Sequence, residues 1–209
     1  MNKINIYALI ALAISMLCSM NVSAQYPGWQ QGADYEIDIV MDVENHKYEG
    51  ELTVMYHNNS PDNLDYVYWH SFFNAFQPGS MMDIRSRTIE DPDMRVGDRI
   101  SSLPSEEWGW IKPHVMSMNG MQCIIEEDGT IIIAKLPSVL KPGVKCIFKL
   151  SWSAQVPRQI RRSGWMNAEE VEFSMTQWFP KLCEYDHEGW HTNPYIGREF
   201  HGIWGDYDV

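Results

Sequence analysis

The 209-residue sequence carries 28 acidic residues against 16 Lys and Arg, a formal charge of −12, with 44% hydrophobic residues and nine Trp. That length suits one domain with a proper hydrophobic core, the simpler answer, or at a stretch two small ones. A field of this sign repels phosphate backbones and anionic lipid, so nucleic acid and membrane surfaces are poor partners.

Residues 1–24 read as a secretory signal. Lys3 supplies the positive start, Ile6 to Met20 the apolar centre, and Val22-Ser23-Ala24 a small-residue cleavage site. The apolar stretch is too short and wrongly flanked to span a membrane. Leu17 stands immediately before Cys18, where a lipoprotein signal wants a small residue, so the chain is expected to be exported by cleavage and to begin at Gln25, in the periplasm or outside the cell. Residues 25–209 then form one domain.

Tyr35, Ile37, Ile39, Met41 and Val43 alternate with acidic residues, Asn45-His46 turns the chain, and Tyr48, Leu52, Val54 and Tyr56 alternate in return. This is the pattern of an antiparallel hairpin with one wet face. Leu64, Tyr66 and Tyr68 begin a third strand after the turn at Asn58 to Asp62. From Ser71 to Ser105 the periodicity fails and Pro78-Gly79, Asp91-Pro92 and Gly97-Asp98 punctuate a long irregular segment. Its arginines (Arg85, Arg87, Arg95, Arg99) alternate with acids, either as salt-bridged solvated surface or as a rim facing another domain.

Strand character returns at Trp110 to Met118, Gln122 to Glu126 and Thr130 to Leu136, with turns at Asn119-Gly120 and Asp128-Gly129. Cys146, Phe148, Leu150, Trp152, Ala154 and Val156 give the longest clean alternation, which belongs at the centre of the core. Ile203, Tyr207 and Val209 begin another alternation, expected to continue past Val209 as a strand cut short at the C-terminal edge. Many short strands with Gly, Pro, Asn and Asp turns predict an all-β fold, an antiparallel β-sandwich or open barrel with long irregular loops.

Several residue groups invite a chemical reading. His187, Glu188 and His191 spell H-E-x-x-H, but Gly189 inside and Asn193-Pro194 after it deny the helix that a zinc motif needs, so the match is read as chance. Asp186 and Glu199 are the acids nearby, both in loop-like contexts. Glu126-Glu127 and Glu169-Glu170 are adjacent pairs, pointing to opposite faces of a strand. Arg158, Arg161 and Arg162 with Lys181 either bind a carboxylate or balance internal charge. Trp29, Trp69, Trp178, Trp190 and Trp204 either stack on sugar rings or belong to the core. Cys123, Cys146 and Cys183 are odd in number without zinc-site spacing; a Cys123–Cys146 bridge and three buried thiols both remain open. There is no P-loop or dinucleotide fingerprint, and Ser163-Gly164 lacks the nucleophile elbow.

The run SMTQWFPKLCEYDHEGWHTNPYIGREFHGIWGDYDV closely resembles the end of the N-terminal domain in bacterial members of the aminopeptidase N family of zinc metallopeptidases. The resemblance continues upstream in residues 34–82 (DYEIDIVMDVENHKYEGELTVMYHNNSPDNLDYVYWHSFFNAFQPGSMM) and in QVPRQIRRSG. It implies a saddle-shaped β domain, a separate zinc-bearing catalytic domain outside this chain, and a peptide substrate held by its N-terminus. Thr176-Gln177 matches the segment that grips the free α-amine, making Gln177 the candidate substrate-binding residue, while two positions later, where relatives place an acid or amide, stands Phe179. On this reading the zinc belongs to the full-length family member, this chain holds no metal or catalytic residue and is inactive alone. A stand-alone secreted binding module for a glycan or protein partner is the alternative.

Overall fold

The computed structural model describes residues 28–198 and 201–209. The expected secretory signal, with Cys18, and the positions Gln25 and Glu199 lie outside the described residues.

In chain order the elements are β1 (Gly32–Asp42), β2 (Lys47–His57), β3 (Leu64–His70), helix α1 (Met81–Thr88), β4 (Trp110–Met118), β5 (Met121–Gln122), β6 (Ile124–Asp128), β7 (Ile131–Leu140) and β8 (Lys145–Gln155). Six two-residue strands follow: β9 (Gly164–Trp165), β10 (Phe173–Ser174), β11 (Lys181–Leu182), β12 (Tyr185–Asp186), β13 (Gly189–Trp190) and β14 (Tyr207–Asp208). The larger sheet runs β14-β1-β2-β8-β4-β5, the smaller β11-β3-β7-β6, and β9–β10 and β12–β13 pair separately. The fold is all-β and sandwich-like, with antiparallel pairing except where β14 lies parallel to β1.

The alternation in β2 and β8 puts Tyr48, Leu52, Val54 and Tyr56 beside Cys146, Phe148, Leu150 and Trp152 on one buried face. The other face stays wet. Trp69 of β3 meets Phe148 of β8 edge to face at 5.8 Å, so the two sheets share one core. As its alternation predicts, β8 is central, flanked by β2 and β4.

The chain changes sheets at Cys123. β5 pairs with β4 and β6 with β7, so the single strand expected over Gln122 to Glu126 is two strands in two sheets. Cys123 anchors the switch through its N–H, which donates to the Met116 carbonyl at 2.9 Å. Cys123, Cys146 and Cys183 are all buried free thiols.

The segment expected to be irregular throughout contains α1 and 3-10 turns at Phe72–Ala75, Ile100–Ser102 and Ser105–Glu107. A reciprocal cap explains the helix: Ser80 Oγ accepts from the Asp83 N–H at 3.1 Å, and Asp83 Oδ2 accepts from the Gly79 N–H at 2.8 Å. Two turns are too short for a hydrophobic stripe to show in the sequence. Its arginines are mostly spent internally, Arg87 on Asp83 and Arg95 on Asp93.

Candidate functional site

The site forms where the smaller sheet ends and the last two-residue strands cross it. β11 pairs with β3 in the register Lys181↔His70 and Leu182↔Trp69, and the Cys183 N–H donates to the Tyr68 carbonyl at 2.8 Å. Leu182 and Trp69 fill the core, which leaves His70 and Lys181 at the rim. The chain then turns through β12–β13, with Asp186 paired to Gly189. His187 and Glu188 form the hairpin tip, where the Glu188 N–H donates to Asp186 Oδ1 at 2.8 Å and Gly189 takes a φ of +100°. H-E-x-x-H is therefore a hairpin, as Gly189 and Pro194 imply. It does not fit a catalytic zinc, because His187 and His191 are not stacked on one helical face.

His191 keeps other company. Its N–H donates to the Glu184 carbonyl at 2.9 Å, and its ring lies 4.4 Å from that of His201, centroid to centroid. His191 Nε2 is 2.8 Å from Asp186 Oδ2, yet its N–H is not aligned on that oxygen and the nitrogen has no hydrogen bond. One donor atom each from Asp186, His191 and His201 lies within 4.8 Å of the others. A cavity of about 300 Å³ opens beside them, lined by His70, His191, His201, Phe72, Tyr195 and Arg198.

Burial governs the charges here. His70 is 3% exposed with neither ring nitrogen hydrogen-bonded; desolvation, then Lys181 and His191, push its pKa down to about 4, so it is neutral. Glu184 is 2% exposed with Oε2 unpartnered, and burial followed by repulsion from Asp186 raises its carboxyl to about 7. Burial also lowers the Lys181 ammonium. Partial burial pushes Asp186 up, but the Glu188 N–H and His191 outweigh it and hold the carboxyl below its ordinary value.

Gln177 lies between β10 and β11 in a loop fastened on both sides. Ser163 Oγ donates to the Thr176 carbonyl at 2.7 Å, and the Trp178 carbonyl accepts from the Tyr48 hydroxyl. Gln177 itself adopts a φ of +58°, the left-handed region that costs a non-glycine residue free energy. Its half-buried side chain makes no hydrogen bond to the described residues, so it satisfies no buried backbone group. Phe179 packs edge-on against Tyr35 at 5.8 Å and is spent on the core.

The basic residues do not gather into one site. Arg158 pairs with Glu107 at 2.8 Å, Arg161 contacts Asp93 at 3.3 Å, and Lys181 sits over the Tyr207 ring. Neither do the tryptophans form a platform: Trp69 is core, Trp178 packs on Tyr48, Trp29 and Trp190 pack on Tyr185, and Trp204 stands 74% exposed. The residues the sequence did not single out are His70, Glu184 and His201. Nothing in their spacing marks them, since β3, β11–β12 and residues 201–205 meet only in the fold.

No protein-family model and no curated protein matches the sequence. Among solved structures, the chain is similar to an M1 zinc metallopeptidase from Deinococcus radiodurans, with 12% identity and a TM-score of 0.44 over 72% of this chain and 28% of that one. A point mutant from the same organism bound to a Tyr-Ser-Ala substrate gives 13% and 0.43 over 72% and 29%. A mutant two-domain M1 zinc metallopeptidase bound to L-tryptophan gives 14% and 0.41 over 72% and 28%. This chain thus spans under a third of those structures.

Proposed function

We propose that this chain is the N-terminal β domain of an exported zinc aminopeptidase and that Gln177 binds the free α-amine of the peptide substrate. The proposal rests on the sequence resemblance in residues 34–82, 155–164 and 174–209, and the observation that carries it to a residue is Gln177. A strained backbone held from both sides, presenting an unengaged carboxamide, is what pre-organised recognition requires. The amide oxygen accepts from an ammonium group without the desolvation cost of a carboxylate. Zinc in a separate catalytic domain would activate water and polarise the scissile carbonyl. No residue here is assigned to that step.

The coding sequence following position 209 is expected to encode H-E-x-x-H on a helical pattern with a further Glu. In the protein it encodes, Gln177→Ala should raise KM for aminoacyl-anilides roughly tenfold with kcat little changed, the loss of one hydrogen bond to a charged group. An unchanged KM would remove Gln177 from substrate binding. A frame that stops at Val209 would favour the stand-alone secreted binding module. Export is part of the proposal: periplasmic material should have the intact mass of a chain starting at Gln25, and retained Met1 or a lipid on Cys18 would contradict it.

A further inference from the structure

We propose that Asp186, His191 and His201 form a binding site for one zinc-type divalent cation, fastening the β12–β13 hairpin to residues 201–205. The site is independent of the peptidase proposal and departs from the expectation that this chain carries no metal.

The donor set comes first. Two imidazoles and a carboxylate, each with one ligand atom within 4.8 Å of the others, are the side chains that bind zinc and its neighbours in three-ligand sites completed by water. Calcium and magnesium demand mostly oxygen, which this set does not offer. The contact between His191 and Asp186 points the same way. His191 Nε2 and Asp186 Oδ2 already stand 2.8 Å apart, and the nitrogen is buried without a well-formed hydrogen bond. Ligands at about 2.1 Å around a tetrahedral ion lie roughly 3.4 Å apart, so this pair opens by about half an ångström while His201 closes in. His201 is exposed and free to make that movement, and Gly202 follows it.

The second observation is the wall around the donors. His70 lines the same cavity as His191 and His201, buried to 97% or more and with both ring nitrogens unpartnered. A buried imidazole left without hydrogen bonds loses free energy unless something fills the space before it, and a metal-bound water is such a partner. The Glu184 Oε2 atom is likewise buried and orphaned, on the residue whose carbonyl holds the His191 backbone.

The same geometry rules out the pairing suggested by H-E-x-x-H. His187 is at the exposed hairpin tip with Nδ1 4.0 Å from the other Asp186 oxygen, Oδ1, and is not one of the three. This separates the proposal from a motif-based one in a single variant series. The chelator-washed full chain is titrated with zinc by calorimetry and with cobalt(II) by visible absorption. One equivalent should bind to the wild type, with affinity at least about tenfold weaker in His191→Ala, His201→Ala and Asp186→Asn. His187→Ala should bind as the wild type does. Zinc should also raise the melting temperature of the wild type and not that of His201→Ala. Because His201 is exposed, that variant is expected to fold, and its circular dichroism checks this. Absence of saturable binding, unchanged affinity in His201→Ala, or a loss in His187→Ala equal to that in His191→Ala would each overturn the proposal.

Discussion

Asn58 shows how one side chain can join three parts of this chain. It is fully buried; its Nδ2 donates to the carbonyls of Asp62 at 2.8 Å and Leu140 at 3.2 Å, and its Oδ1 accepts from Ser60 Oγ at 2.6 Å and the Ser60 N–H at 3.2 Å. Its backbone meets the β7–β8 turn as well, through Val144 O and Gly143 N–H. The sequence announces only a turn at Asn58 to Asp62. Replacing Asn58 by Leu keeps the volume but orphans the buried Leu140 carbonyl and the buried Ser60 hydroxyl and N–H, and should cost roughly 3 kcal/mol in denaturant unfolding. A loss below about 1 kcal/mol would mean that water takes over the side chain's partners. Asp93 sets a second residue-scale expectation. Its carboxylate accepts from Arg95 at 2.9 and 2.8 Å and also contacts Arg161, which together hold its pKa at about 2 against an ordinary 3.8. A carboxyl depressed in the fold binds its proton more readily when unfolded, so its stabilisation is complete above about pH 4 and disappears as pH falls through about 2. The melting-temperature gap between wild type and Asp93→Asn should accordingly narrow over that window. A gap independent of pH would show that the ion pairs add nothing.

Strands with a two-residue period were legible because one face is buried and the other wet, so β1, β2, β4 and β8 fall where alternation puts them. What period alone could not show is which strands exchange sheets, as at Cys123, or where bulges fall. Pro113 of β4 lies at a register shift opposite β8, consistent with a proline's inability to donate to the ladder. The candidate site was illegible for the same reason: β11, β12 and β13 are two residues each, too short to carry a period, and their partners lie far along the chain. Gly50 in the middle of β2 is legible only in retrospect. It pairs with Trp152 of β8, and a Cβ built on it would fall 2.2 Å from the indole ring. The glycine therefore makes room for the largest side chain of the central strand. Gly50→Ala should destabilise by about 1–3 kcal/mol through overpacking, despite alanine's better fit to ordered backbone. Combining it with Trp152→Phe should recover part of the loss; strictly additive losses in the double mutant would refute the steric explanation.

At the scale of the whole molecule, the question is whether the two sheets unfold together. The Trp69–Phe148 contact and the shared buried cluster join β3 to β8, while the site's short strands hang from the rim of that core. The three buried thiols sample these regions separately. Cys146 is on central β8, Cys123 at the crossing between sheets, and Cys183 beside β11, each at most 3% exposed. Burial raises all three thiol pKa values, that of Cys146 to about 12 with the neighbouring Cys123 adding to the effect. The native thiols should thus resist alkylation at neutral pH, because both access and thiolate are lacking. If the shared core makes unfolding cooperative, residue-resolved alkylation in rising denaturant should give one midpoint for the three. Cys183 alone has a structural reason to differ, since β11 contributes only two ladder pairs, Lys181↔His70 and Leu182↔Trp69. An earlier midpoint there would show that the β11–β13 region opens as its own unit. Zinc bound at Asp186, His191 and His201 should then move that earlier midpoint back toward the other two, whereas a single midpoint before and after zinc would place the site inside the cooperative core.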